Sequence, residues 1–157
     1  MKRFIVVVFV LFCTLSCFSF GTAMMDYFLV YPSRAIVGEN EFIEYSDLLE
    51  EAILPVSVLP FFIITLLNGL LLWKRPQDMP GSFLIISFIC LLLDWASSIF
   101  IQIPMNLELG HGKNADLIQS VMDTNWGRIA LESLQAVLVV LMLIRALEAK
   151  LKNQKTS

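Results

Sequence analysis

Histidine occurs once in the 157 residues, cysteine three times, and nowhere is there a long run of basic side chains. Each scarcity excludes something. His111, in a Gly-His-Gly stretch, lacks the neighbouring His or Cys ligands that a zinc or transition-metal centre needs, so no metal is expected. Cys13, Cys17 and Cys90 all fall inside apolar segments, which rules out a disulfide framework for an exposed domain. Cys13 and Cys17 share a helical face but lack the C-x-x-C spacing of a dithiol redox centre; small buried hydrophobes are the reading they support. With 11 basic against 14 acidic residues and a net charge of -3, the chain carries no electrostatic footprint for nucleic acid. No cofactor is expected.

Apolar surface is what the chain has in excess. Its hydrophobic fraction is 57%, above the roughly 45 to 50% of soluble domains. Four apolar runs, at about 4–31, 52–73, 82–103 and 126–147, each approach or exceed the roughly 20 residues that a bilayer core requires. The pattern predicts a single all-α domain, an integral membrane four-helix bundle. A short helix is expected in each of the two outer loops. Pro32 and Pro104 are expected to end the first and third runs, because proline disfavours helix in the residue before it. Pro60 is expected to kink the second. Residues 39–53 then form an amphipathic helix over the bundle mouth, and residues 115–122 a second short helix before the last span.

The first run has Lys2 and Arg3 before it, and Gly21-Thr22-Ala23 looks like a leader cleavage site. It is longer than the h-region of a leader, however, and continues through Tyr27, Phe28 and Tyr31, so a retained helix is expected. Lysine and arginine concentrate in cytoplasmic segments. With both termini inside, that side holds Lys2, Arg3, Lys74, Arg75, Arg145, Lys150, Lys152 and Lys155, and the outside has Arg34, Lys113 and Arg128. The expected topology is N-in, C-in, in a cell membrane, the bacterial inner membrane.

Polar side chains at membrane depth collect between Asp94 and Gln135. Asp94, Ser98 and Gln102 are spaced by four, and Arg128, Glu132 and Gln135 by four and three, so each set lies on one side of a helix. Asp26 belongs to a third such stripe, with Ser19 and Thr22. A charge at membrane depth costs about 2.5 to 3.5 kcal/mol on insertion scales, so it normally faces a bundle interior or a wet cavity. Arg128 is expected near the outer boundary, in contact with Asp94, Glu132 or Asp26. Such a set can act as a base with a cationic oxyanion stabiliser, as a proton relay, or as a polar pin holding four helices in register. Trp95, beside Asp94, is either core or an aromatic wall for a ligand.

Pro104, Leu109, the Gly-polar loop and Asn125-Trp126-x-Arg128 opening the last span resemble a family of small four-span membrane proteins related to fungal anthrone oxygenases. Tyr31-Pro32 and Glu41-Phe42 with Tyr45 agree more loosely. The chain departs from the family pattern at Asn106, where a histidine is expected, and at Glu132 and Gln135. The resemblance implies cofactor-independent oxidation of a lipophilic, anthrone-like compound by dioxygen. Arg128, Glu132 and Asp94 would then be catalytic, with Asp26, Trp95, Gln102, Asn125, Trp126 and Gln135 in binding roles. The partners expected are membrane lipid and a lipophilic small molecule; no protein partner is indicated. A small proton-coupled transporter subunit and a structural membrane protein are the competing readings.

Overall fold

The computed structural model describes residues 2–75 and 80–155. Its elements are all helical, and four helices are long and apolar enough to cross a membrane: α1 (Arg3–Ile36), α2 (Phe42–Trp73), α3 (Gly81–Leu109) and α4 (Ala115–Lys152). The fold is a multi-pass membrane four-helix bundle. α4 packs on α1 and α3, and α2 packs on the same two helices from the other side. Loops 37–41 and 110–114 mark the upper end of the bundle; both termini mark the lower. Part of the lower connection expected between the second and third spans, Pro76 to Met79, lies outside the described residues.

The prolines do not end the helices. Proline lacks an N–H and its ring collides with the carbonyl four residues back, so a helix that continues past it must change its hydrogen bonding. α1, α2 and α3 do so alike. Each contains five residues of wider π-helix, Asp26–Val30, Leu54–Val58 and Ser98–Gln102. After each, Tyr31, Leu59 or Ile103 donates its N–H to the carbonyl five residues back. Pro32, Pro60 and Pro104 then open the resumed α-helix. The short outer helices are therefore present, but as upper extensions of the spans. Likewise α4 starts at Ala115 and not near Trp126, because Asn114 caps it: its Oδ1 accepts the Leu117 N–H at 3.0 Å. Lys113 closes the other side of that loop, donating to the carbonyls of Ala35 (3.0 Å) and Val37 (2.6 Å) at the end of α1.

Two hydrophobic cores stack along the bundle. The lower one joins Phe12, Ile64, Leu71, Leu84, Leu91, Val139 and Met142 from all four helices. The upper one joins Tyr31, Phe42, Leu109, Ile118 and Val121. Between them lies a belt of buried polar side chains that includes Asp94, Gln102, Glu132 and Gln135. At about 1.5 Å of rise per residue, Arg128 sits roughly 20 Å below the start of α4. The polar groups thus lie midway along the bundle, and the helices extend well above the apolar runs.

Candidate functional site

Asp94 faces α4 from the turn of α3 just below its π segment. Its Oδ1 accepts the Nε–H of Arg128 at 3.0 Å, and the Asp94 side chain is almost wholly buried while the Arg128 side chain keeps 19% of its surface. One turn below on α4, Glu132 accepts the Ser19 hydroxyl of α1 at 3.0 Å. Asp26 and Tyr31 of α1 are the further electrostatic neighbours of Arg128. Three carboxylates and a phenol, drawn from three helices, therefore surround Arg128. This is the geometry of the two stripes facing each other across the α3–α4 interface.

A second chain of hydrogen bonds runs above it. Arg34 is buried and donates from Nη1 to Asn106 Oδ1 at 2.6 Å; Asn106 Nδ2 donates to the Gln102 carbonyl at 2.7 Å. Gln102 Nε2 in turn donates to Thr124 Oγ1 at 2.9 Å. On the far wall, Trp95 Nε1 donates to Thr65 Oγ1 at 3.1 Å, and the Trp95 ring packs on Phe61 at 5.3 Å between centroids.

These groups surround a cavity of about 340 Å³. Ser19, Thr22, Asp26 and Tyr31 line it from α1, Glu50, Ser57 and Phe61 from α2, Trp95, Ser98, Gln102 and Asn106 from α3, and Arg128 and Glu132 from α4. All three π segments contribute to this lining, through Asp26, Ser57 with Val58, and Ser98 with Gln102. A π turn is one extra residue in the helix; it re-aims side chains and recurs at functional sites. α4, which has no proline in its described length, is a single uninterrupted α-helix. Three widened helices around one straight helix make the space.

Of the residues singled out in the sequence, Asp26, Trp95, Gln102, Arg128 and Glu132 line this cavity. Asp94 lies behind Arg128, and Gln135 lies beside Asp94 and Glu132 in a crevice leading down from them. Asn125 is buried but does not line the cavity. Trp126 does not reach it: it is 57% exposed and stacks on Tyr27 at 4.9 Å. Two residues before Arg128 is about 200° around the helix, so an inward arginine sends Trp126 outward. Sequence reasoning misses Tyr31, Glu50, Phe61 and Asn106 as lining residues, and reads Arg34 as a loop charge. For Asn106 a signal is available, since it stands four residues beyond Gln102 and continues the Asp94, Ser98, Gln102 spacing.

The Asp94 and Glu132 carboxyl groups are hydrogen-bonded to each other, whereas Gln102 Oε1 and both amide atoms of Gln135 are buried with no protein partner among the described residues. Buried polar groups are normally satisfied, and unsatisfied ones call for a water, an ion or a ligand.

No family model matches the chain, and no curated protein or solved structure matches it either.

Proposed function

We propose that this protein binds a lipophilic small molecule within the membrane, in the mid-bundle cavity. The observation that carries the reading is the cavity itself: about 340 Å³ with convergent polar groups against aromatic walls, within the range of ligand sites. A polar cluster whose role is to pin helices would be packed solid. A transporter would continue the polar path to the lower end, where the buried polar groups among the described residues are Ser16 and the hydrogen-bonded pair Asn68 and Ser87, enclosed by the packed hydrophobic core. The cell membrane, here the bacterial inner membrane, is the proposed location, with both termini in the cytoplasm and the upper end outside.

A second reading, oxygenase-like chemistry, draws on the resemblance to anthrone oxygenases and on Glu132 and Arg128 lining the same cavity one turn apart. Glu132 would take a proton from an activated C–H, and Arg128 would hold the resulting oxyanion while dioxygen adds at carbon. Asp94 would keep the guanidinium oriented.

Filling the space tests the binding reading. Ala23 lines the cavity from α1, and Ala23→Phe places a ring in it. Native mass spectrometry of the purified protein should show a small-molecule or lipid adduct in wild type that Ala23→Phe loses; an adduct unchanged in the variant would place the ligand elsewhere. Orientation is tested by thiol labelling of single-cysteine variants in intact cells, on a background lacking native cysteines. Glu44→Cys should react with an impermeant reagent, and Lys74→Cys only after lysis. Labelling of position 74 in intact cells would overturn the topology.

A further inference from the structure

The cavity lining is mixed in hydrogen-bonding sense, and its charges are answered from within. Arg128 gives its Nε–H to Asp94, which leaves its Nη groups for Tyr31 and for the cavity. The half-buried Ser57 and Ser98 hydroxyls line the same space with no partner among the described residues, and a hydroxyl both gives and takes. Asp26, also half-buried, adds a carboxylate that accepts. A hydrogen bond between two carboxyl groups holds one proton, so Asp94 and Glu132 together carry one negative charge, and Arg128 beside them cancels it. Asp26 has both Arg128 and Arg34 as cationic neighbours. No charge at this depth is left unopposed. A cation entering here would meet Arg128, an anion would meet Asp26, and either would be desolvated without a free counter-charge. An uncharged hydroxyl finds a donor or an acceptor whichever way it turns.

The way in is lateral. The upper core roofs the cavity and the lower core floors it. Residues 59–73 of α2 pack along residues 81–97 of α3, whereas 42–58 and 98–109 make no comparable contact. Ile53 on α2 and Ile103 and Leu107 on α3 line the cavity while remaining 48%, 45% and 58% exposed, so the opening is a slot between two helices with an aliphatic rim. Its depth follows from the lower end, where the exposed Trp73, with the Lys74 ammonium 5.2 Å from its ring centroid, marks the interface. A hydrocarbon core of about 30 Å takes about 20 helical residues, which brings α2 to Ile53. The Tyr27–Trp126 ring pair stands about 20 residues above Arg145, where an upper aromatic belt belongs. The slot therefore opens where the heads of the upper leaflet meet its chains, the outer leaflet in the proposed orientation.

We propose that the cavity takes an uncharged, hydroxyl-bearing lipid from the upper leaflet through the α2–α3 slot, its hydroxyl meeting Arg128, Ser98 and Asp26 and its chain leaving between Ile53, Ile103 and Leu107. This rests on the reading of the cavity as a ligand site and names the chemistry of the ligand. About 340 Å³ holds a small head and the first part of a chain, and a lateral slot lets the rest of the chain stay in the bilayer. A free long-chain alcohol and the glycerol head of an acylglycerol share this chemistry.

The test uses the full chain in phosphatidylcholine nanodiscs, a lipid without a hydroxyl. Dodecanol, its methyl ether, dodecyltrimethylammonium and dodecanesulfonate are titrated at a low fraction of the lipid while the fluorescence of Trp95 is followed, with Trp73 and Trp126 replaced by Phe. Dodecanol should bind saturably and at least about tenfold more tightly than either ion, as desolvating an unmatched charge implies, and more tightly than the ether, which cannot donate. Ser98→Ala, a small change at a half-buried position, should weaken dodecanol about threefold or more and leave the ether unchanged. Ile103→Trp, on the exposed rim and so compatible with folding, should slow dodecanol uptake after mixing; an unchanged rate would overturn the slot. Binding of the ether or of either ion as tight as that of dodecanol would overturn the hydroxyl assignment and leave the binding reading standing. No saturable binding of any probe would overturn both. Adding dioleoylglycerol separates the sources: displacement of dodecanol identifies a glyceride head, and dodecanol binding that it leaves untouched identifies a free alcohol.

Discussion

Arg128→Ala should be the most destabilising single substitution in the polar belt. Asp94 is buried to 2% exposure; Arg128 Nε, at 3.0 Å, is its cationic partner, and its other hydrogen-bonded neighbour is the Glu132 carboxyl. Removing the guanidinium leaves two buried carboxyl groups facing each other with no cation, between two hydrophobic cores. Breaking a buried pair from one side costs about 3 to 5 kcal/mol, a large share of a membrane bundle's stability. The measurement is the thermal unfolding midpoint in a neutral detergent. Arg128→Ala should lower it strongly, and Arg128→Lys less, since an ammonium keeps the charge but loses the planar fork. The double variant Arg128→Met with Asp94→Leu should return close to wild type, because hydrophobic replacement of a whole buried pair is often neutral. A double variant as unstable as Arg128→Ala would show that the two side chains act independently, and the pairing would then not be what holds α3 against α4.

That pairing is legible in the amino-acid sequence because it depends on two local facts. Asp94 and Arg128 each head a stripe at helical spacing, and two helices joined by one loop bring such stripes together. The four spans are legible for a similar reason: hydropathy over about 20 residues reports burial in lipid whatever the packing. The path of the chain through its prolines is not. A proline reads as a stop in sequence, and whether a helix ends there or absorbs the lost hydrogen bond in a π turn is decided by what the extended helix packs against. Here Tyr31, Phe42 and Leu109 meet in the upper core, and that contact rewards continuing past Pro32 and Pro104. The same ambiguity hides part of the site. With α1 ended at Pro32, Arg34 belongs to a loop; with α1 continued to Ile36, Arg34 is buried and hydrogen-bonded to Asn106. Trp126 enters the expected site as part of the Asn125-Trp126-x-Arg128 stretch, whose spacing helical geometry converts into opposite faces for Trp126 and Arg128.

The three π turns are also the features whose loss should do most to the cavity. Each holds one residue more than an α-helix of the same length, so deleting one residue lets the turn close to α geometry while the residues beyond it keep roughly their faces. Phe100 is the residue to remove. It lies within the Ser98–Gln102 turn and is 78% exposed, so its side chain contributes nothing to either core. Substitution of its side chain, Phe100→Ala, should therefore leave unfolding and ligand uptake near wild type. Deletion of Phe100 should act through the backbone alone. It would narrow the widened turn that lines the cavity through Ser98 and Gln102, and bring the Pro104 ring against the carbonyl four residues back, a collision that the π turn relieves. A proline held inside regular α-helix costs about 3 kcal/mol. The expected result is a much lower unfolding midpoint and no retained small-molecule adduct in native mass spectrometry. If the deletion variant unfolds like Phe100→Ala and keeps its adduct, the π turns are accommodations to proline with no part in shaping the site. A deletion variant that folds with normal stability yet loses the adduct would separate the two roles, assigning the turn to the cavity.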